Sequence, residues 1–304
     1  MIGLPAGGMI ASLPTPFTRD GSVDLPALRR LVRFSADSEA AAVLVNGLAG
    51  EVAELTERER SALVEACLEA SEERLPVLVG AWAASVGEAC SFARAAERAG
   101  AAGVMVSIPS DAPREPATEL ARIAAAAGLP VVVQDAPGYL GVGLGPPVLA
   151  DVLRLAPNVR GLKLEGGSEA VEVVRERLGD EIPLWGGDGG RHLLDCLRVG
   201  AVGAIPGVEV VDRLVEVWRA ERDGDDGRAD AIFGTLLPLL VFELESLGRY
   251  AASAKHVLLR RGLLESTRTR LPGAQLAPAA VRLLDHHLAG ALLEETATHA
   301  RSTS

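Results

Sequence analysis

The stretch RAGAAGVMVSIP, Arg98 to Pro109, ends a helix on a glycine and runs straight into a buried strand. Gly100 suits the left-handed residue that closes an α-helix. The run that follows is nearly continuous in apolar residues, which implies burial on both faces, as in a parallel sheet. The same junction recurs as RVGAVGAIPG, Arg198 to Gly207. Working outward, further apolar runs lie at GMIASL (8–13), AAVLVNG (41–47), PVLVGAW (76–82), PVVVQDAP (130–137), VRGLKLE (159–165) and IPLWGGD (182–188). Amphipathic stretches such as 25–38 and 85–100 alternate with them. The eight strand–helix units predict an α/β fold, a (β/α)8 TIM barrel with a C-terminal helical extension. A doubly wound open sheet is the alternative, but no G-x-G-x-x-G fingerprint supports it.

The strand pattern occupies residues 1–206. Beyond it, 208–221, 230–248, 249–262 and 277–295 read as helices. The first closes the barrel and the others form the extension, so residues 207–295 make one helical section. Residues 222–230, RDGDDGRAD, read as an acidic loop, and 296–304 as a flexible polar tail.

With 304 residues, 48% of them hydrophobic, the chain can bury the core of one large domain. A net charge of −11 argues against nucleic acid as a partner, since phosphate binding needs a basic surface. No signal segment opens the sequence and no apolar run reaches membrane-spanning length. Cys67, Cys90 and Cys196 are widely spaced on apparent helices and read as reduced core thiols of a cytoplasmic protein. No Cys or His cluster has ligand spacing, so no metal site is expected. His192, His256, His286, His287 and His299 show no catalytic spacing, and the adjacent His286 and His287 read as surface or interface residues.

In such barrels the active site sits at the C-terminal ends of the strands. The residues there are Thr15, Asn46 to Glu51, Trp82, Ser107, Gln134, Lys163, Glu165, Asp188 and Ile205. Lys163 lies between Leu162 and Leu164 in an apolar strand. Burial favours its neutral amine, which can attack a ketone and form a Schiff base. A structural lysine paired with Glu165, or reaching for water, is the competing reading. Strand alternation puts Glu165 on the same face as Lys163, where a carboxylate can accept and return protons. In the loop VNGLAGEVAELTERE, Val45 to Glu59, Gly47 and Gly50 mark either a tight turn or a close approach to a ligand.

Several of these segments, in order, resemble the dihydrodipicolinate synthase / N-acetylneuraminate lyase family of Schiff-base barrels. ASLPTPFTRDGSVD is similar to the family opening, and NGLAGEVAELTERER to its Gly-Thr-Thr-Gly-Glu loop. QDAP falls at the Tyr-Asn-x-Pro motif, and GLKLEGG at Gly-Ile-Lys-x-Ser-x-Gly. GGD, GAVGAIPG and SAKHVLLRRG fit later landmarks, so the likeness runs to near residue 290. The resemblance implies Lys163 as the Schiff-base lysine, with no cofactor, and a loop of Gly47, Leu48, Ala49 and Gly50 whose N–H groups hold a 2-oxo acid carboxylate. It leaves Glu51 structural, and it implies a homodimer or homotetramer. The sequence also departs from the family. Leu48 and Ala49 replace a threonine pair, Gln134 replaces the proton-shuttling tyrosine, Ser110 and Asp111 replace a tyrosine pair, and Tyr139 replaces a substrate-binding arginine.

The resulting expectation is a lyase or aldolase acting on a pyruvate-like 2-oxo acid, distinct from an authentic dihydrodipicolinate synthase. Lys163, Gln134 and Glu165 would be catalytic, with Gln134 orienting the carbonyl or carbinolamine. Thr15, Tyr139, Asp188 and Ile205 would join the loop in binding substrate. For Thr15 a turn or cap is the competing role, for Asp188 a helix cap, for Trp82 core packing, and for Lys255 a solvated helix position. The alternative functions are a non-catalytic 2-oxo acid binding barrel and an enzyme that uses Lys163 only as an electrostatic stabiliser.

Overall fold

The computed structural model describes residues 3–111 and 115–301, the stretch from 293 as backbone only. Eight parallel strands form a closed barrel in sequence order, with the last pairing back to the first. They are β1 Gly8–Ser12, β2 Ala42–Val45, β3 Val77–Gly80, β4 Gly103–Ser107, β5 Val131–Asp135, β6 Val159–Leu164, β7 Leu184–Gly186 and β8 Gly203–Ala204. The helices around them are α1 Leu25–Asp37, α2 Glu57–Ser71, α3 Val86–Ala99, α4 Pro116–Ala125, the short α5 Pro137–Leu140, α6 Gly145–Leu155, α7 Gly167–Leu178, α8 Leu193–Arg198 and α9 Val211–Arg222. The extension holds α10 Asp226–Glu243, α11 Leu247–Arg260 and α12 Pro278–Arg301.

The helix boundaries follow local chemistry. Gly100 closes α3 at φ 90°, its N–H reaching the carbonyls of Ala96 and Glu97. Thr56 opens α2 with a capping box, its side chain and that of Glu59 satisfying each other's backbone N–H groups. Two expected boundaries differ. The acidic segment 222–230 is only briefly a loop, because Asp225 accepts the N–H of Arg228 and starts α10 within it. The helix expected across 230–248 breaks after Glu243, where Ser246 caps a new helix through the N–H of Arg249. The backbone of α12 runs to Arg301, past residue 296, since neither Gly nor Pro follows Gly290 to stop it. Residues 302–304 and the side chain of His299 lie outside the described residues.

Strand alternation separates two cores. Outward residues join the helices in a large shell, while Ile10, Ala42, Leu44, Leu78, Met105, Val132, Trp185 and Ile205 fill the barrel itself. Trp185 is fully buried and needs a gap on a neighbouring strand. Gly161 supplies it, for a Cβ there would stand 2.4 Å from the indole. One alternation step above this apolar floor come Ser12, Ser107, Gln134 and Lys163, all buried, so the period of two that packs the floor also lays down a polar layer at the C-terminal rim. Cys67, Cys90 and Cys196 are free and buried.

Helix α9 packs on β1 and so covers the seam between last and first strands, as expected of a barrel-closing helix. α10 lies on α9, α12 lies on α10, and α11 reaches over the strand ends to the turns after β2 and β8. Among the described residues, no helix is long and apolar enough to cross a membrane.

The Gly161–Trp185 fit predicts that Gly161→Ala destabilises the chain by about 1–3 kcal/mol in chemical denaturation. Adding Trp185→Phe, which removes the clashing part of the ring, should recover part of that loss. A neutral Gly161→Ala would contradict the packing described.

Candidate active site

At the rim, Lys163 of β6 and Glu165 just beyond it point into the barrel, and Nζ lies 2.7 Å from Oε1. Both are buried, 8% and 7% exposed, so each charge depends on the other and on fixed dipoles. The amide of Gln134 donates to Glu165 Oε1 at 2.8 Å, and the backbone N–H of Asp188 donates to Oε2. Burial alone would raise the Glu165 carboxyl. The Lys163 charge and these three donors outweigh it and hold the group below its usual range. The approach is close, since a Cβ at Gly187 would fall 2.0 Å from the Glu165 carboxylate.

Gln134 is held at both ends. One amide N–H goes to Glu165, and its oxygen accepts the Ser107 hydroxyl at 3.1 Å. It orients the carboxylate while lining the pocket, where the amide's second N–H is a further donor. Asp188 sits behind the pocket with φ 49°. It accepts the Gly166 N–H at 2.6 Å, pairs with Arg191 at 3.7 Å and receives the Tyr139 hydroxyl at 3.4 Å.

The loop after β2 forms the facing wall. Asn46 takes φ 58°, and a single 3₁₀ turn, Leu48–Gly50, follows. Gly50 N–H is used within that turn, bonding Gly47 O at 2.9 Å. The amides of Leu48 and Ala49 make no hydrogen bond within the protein among the described residues. They are the open donors of the turn's first residues, and both residues line the pocket. Gly47 and Gly50 serve closeness instead: their Cβ atoms would lie 3.2 Å from the Leu44 side chain and from Leu13 O respectively. Thr15 donates to Gly50 O at 2.6 Å, so it fastens the turn, and it is not among the residues that line the pocket.

Glu51 ends the turn at φ 56° and is 1% exposed. Its carboxylate takes the Lys255 ammonium, the Arg270 N–H at 2.6 Å and the Leu271 N–H at 3.0 Å. Lys255 is thus fully buried, contrary to the solvated position expected of it, and also donates to Arg268 O at 2.8 Å. Burial pulls its ammonium down to about 8 against the opposing charge of Glu51. Nothing near Lys255 in sequence signals this, because its partners Glu51 and Arg268 O come from other segments of the chain.

The pocket holds about 540 Å³ of atom-free space, including its open mouth. Lys163, Glu165, Gln134, Leu48, Ala49, Tyr139 and Ile205 line it as expected. Both tyrosines of the chain reach it, Tyr139 from α5 and, unforeseen, Tyr250 from α11. Ser246 and Leu247 at the start of α11 join them. Trp82 is half-buried outside the pocket. Ser110 and Asp111 instead secure the start of α3, through Ala84 O at 3.1 Å and Val86 N–H at 3.1 Å. Exposed His286 and partly buried His287 lie on α12, with His287 5.5 Å from the Phe242 ring. Among the described residues no group of three or more His, Cys, Asp or Glu could hold a metal ion.

The chain is similar along most of its length to known proteins. The profile of the dihydrodipicolinate synthetase family matches residues 5–288. A 4-hydroxy-tetrahydrodipicolinate synthase of Sorangium cellulosum is 33% identical over 297 residues, covering 90% of this chain and 96% of that one. An L-2-keto-3-deoxyarabonate dehydratase of Azospirillum brasilense is 30% identical over 280 residues, covering 89% and 90%. The crystal structure of dihydrodipicolinate synthase from Rhodopseudomonas palustris superimposes with a TM-score of 0.86 at 30% identity, covering 95% of this chain and 99% of that one.

Lys255→Met leaves the Glu51 carboxylate buried without its counter-ion and should cost about 3–5 kcal/mol in denaturant melts. Combining it with Glu51→Gln should cost less than the sum of the two single changes. Simple additivity would contradict the pairing.

Proposed function

For a chain that belongs to the dihydrodipicolinate synthetase family, a lyase of the class I aldolase type, we propose Schiff-base chemistry on a pyruvate-like 2-oxo acid, with Lys163 as the nucleophile. The observation that carries the proposal is the Lys163–Glu165 contact of 2.7 Å inside a pocket whose facing wall offers open backbone amides. Those amides, of Leu48 and Ala49, suit a carboxylate, which needs oriented N–H donors rather than a charged side chain. A 2-oxo acid held by its carboxylate there presents its ketone toward the interior.

Glu165 takes a proton from the Lys163 ammonium and leaves a neutral amine. The amine adds to the ketone carbon as the C=O electron pair moves to oxygen, and a proton passes from the new ammonium nitrogen to that oxygen, giving the neutral carbinolamine. Glu165 then returns the proton to the carbinolamine hydroxyl, which departs as water as the nitrogen lone pair forms the iminium. The iminium draws electrons from the neighbouring carbon, which permits aldol cleavage, aldol addition or loss of a β-hydroxyl. Relatives named as a synthase and as a dehydratase both fit that shared intermediate. Distinctness from an authentic dihydrodipicolinate synthase is supported by Gln134, whose amide is committed to Glu165, and by Ser110 and Asp111, which are turned to α3. The reading includes self-association as a homodimer or homotetramer, supported by exposed Leu237 and Val241 on α10 and Leu283 on α12.

Borohydride reduction in the presence of pyruvate should fix one reduced pyruvate on Lys163, located by peptide mass mapping and absent from Lys163→Ala. A folded protein giving no adduct with pyruvate or other 2-oxo acids would contradict the proposal. An adduct without turnover on any hydroxylated 2-oxo acid would favour the non-catalytic binding barrel. Glu165→Gln should still be trapped, but about 10²–10⁴ more slowly. Trapping at the wild-type rate would remove Glu165 from the proton path.

A further inference from the structure

A second set of buried acids lies beside the pocket on the β8 side, two strands round the barrel from Lys163. Tyr250, 7% exposed, donates its hydroxyl hydrogen bond to Glu209 Oε1 at 3.2 Å. Both groups rest against the backbone of Gly207, itself a pocket residue: a Cβ there would lie 1.9 Å from the Tyr250 oxygen and 2.2 Å from Glu209 Oε2. Glu243, at the end of α10, is fully buried on the same side. Glu209 Oε2 and both carboxyl oxygens of Glu243 have no hydrogen-bond partner among the described residues.

Two neighbouring buried carboxyls with three oxygens left unbonded are expensive if both are ionised. Burial pushes Glu209 up to about 7 despite the opposing Tyr250 hydroxyl and Arg261 charge. Burial, and then the charge of Glu209, pushes Glu243 well above the usual carboxylate range. The other groups facing the set are Arg261, whose guanidinium donates to Glu209 O at 2.6 Å and pairs with Asp212, and Tyr139 on the pocket wall. The pair therefore keeps at least one proton near neutral pH and can take up a second.

This constellation matters because the pocket's other hydroxyls are those of Ser12 and Ser246, far weaker acids than a phenol, and of Tyr139. Gln134 cannot trade protons near neutral pH. Tyr139 is 36% exposed and donates to Asp188, whose oxygens already serve Gly166 and Arg191. Glu165 is engaged at the lysine.

We propose that Tyr250 is a catalytic proton-transfer residue at the substrate carbon, and that Glu209 and Glu243 are positioning residues that hold the proton it exchanges. The proposal rests on the imine reading above. With pyruvate bound as the iminium on Lys163, a C3–H bond breaks and its proton passes to the Tyr250 oxygen. The proton of Tyr250 moves along the existing hydrogen bond to Glu209. The C–H electron pair becomes the C2–C3 double bond, and the C=N electron pair retreats to nitrogen, giving the enamine. The positive iminium and the negative Glu209 are both neutralised, and the reverse path returns a proton to C3.

One experiment separates the two layers of the argument. The protein is incubated with pyruvate in D₂O. Deuterium entering the methyl group is followed by NMR, and borohydride adducts on Lys163 are measured from the same sample. Tyr250→Phe should keep the adduct within about twofold and slow methyl exchange by about 10²-fold or more. Wild-type exchange should rise with pH through about 7, as Glu209 becomes the acceptor. Glu209→Gln should flatten that rise while leaving the adduct in place, a loss that a purely structural role would not cause. It also serves if Tyr250→Phe does not fold. Normal adduct with exchange unchanged in Tyr250→Phe, or with the pH rise intact in Glu209→Gln, overturns the relay. A wild type that yields no adduct overturns the imine reading, and the relay with it.

Discussion

The buried contact between Lys163 and Glu165 sets the terms for the rest of the rim. Neither charge is stable in a barrel interior alone, since removing an ion from water costs several kcal/mol. The surroundings answer that cost item by item. Gln134 and the Asp188 amide complete the carboxylate, Gly187 clears room for it, and Ser107 fixes the glutamine. The strand order explains why these particular residues meet. Ser107, Gln134 and Lys163 occupy aligned positions on β4, β5 and β6, one step above the apolar floor. The pair thus arrives already oriented, with one hydrogen bond between ammonium and carboxylate.

The C-terminal extension takes part in the site through two buried links. Lys255 of α11 and the backbone of Arg270 and Leu271 grip Glu51, and Glu51 ends the turn that presents the Leu48 and Ala49 amides. Arg270 in turn binds Glu59 at 2.6 Å, which burial cannot outweigh and which holds that carboxyl down to about 2. The same α11 brings Tyr250 over the mouth near β8. On the proposed reading of the turn as an anion site, such bracing keeps its backbone donors aimed, the condition under which they contribute.

The barrel was legible because its signals are local. Continuous apolar strands and glycine-terminated helices such as Arg98–Gly103 can be read within a dozen residues, and period-two alternation placed Glu165 beside Lys163. The turn Leu48–Ala49 was legible by resemblance and by its flanking glycines. What stayed hidden depends on partners far along the chain. Lys255 looked solvated because Glu51, more than two hundred residues away, gives no local sign. Gln134 looked free for substrate because its two partners arrive from neighbouring strands. Tyr250 stood in an ordinary amphipathic helix whose start, set by the Ser246 cap, fell inside a stretch that read as one continuous helix. Asp225 had the same effect in the opposite sense, converting an apparent acidic loop into a helix start.

The central claim is geometric: a 2-oxo acid lies between the open amides of Leu48 and Ala49 and the amine of Lys163. A crystal structure of the protein soaked in pyruvate tests it most directly. The account predicts continuous density from Lys163 Nζ to C2 of the ligand, with a carboxylate oxygen accepting from the Leu48 and Ala49 N–H groups. Pyruvate bound elsewhere, or bound in this pocket with its carboxylate on Lys163 and no covalent link, would contradict it.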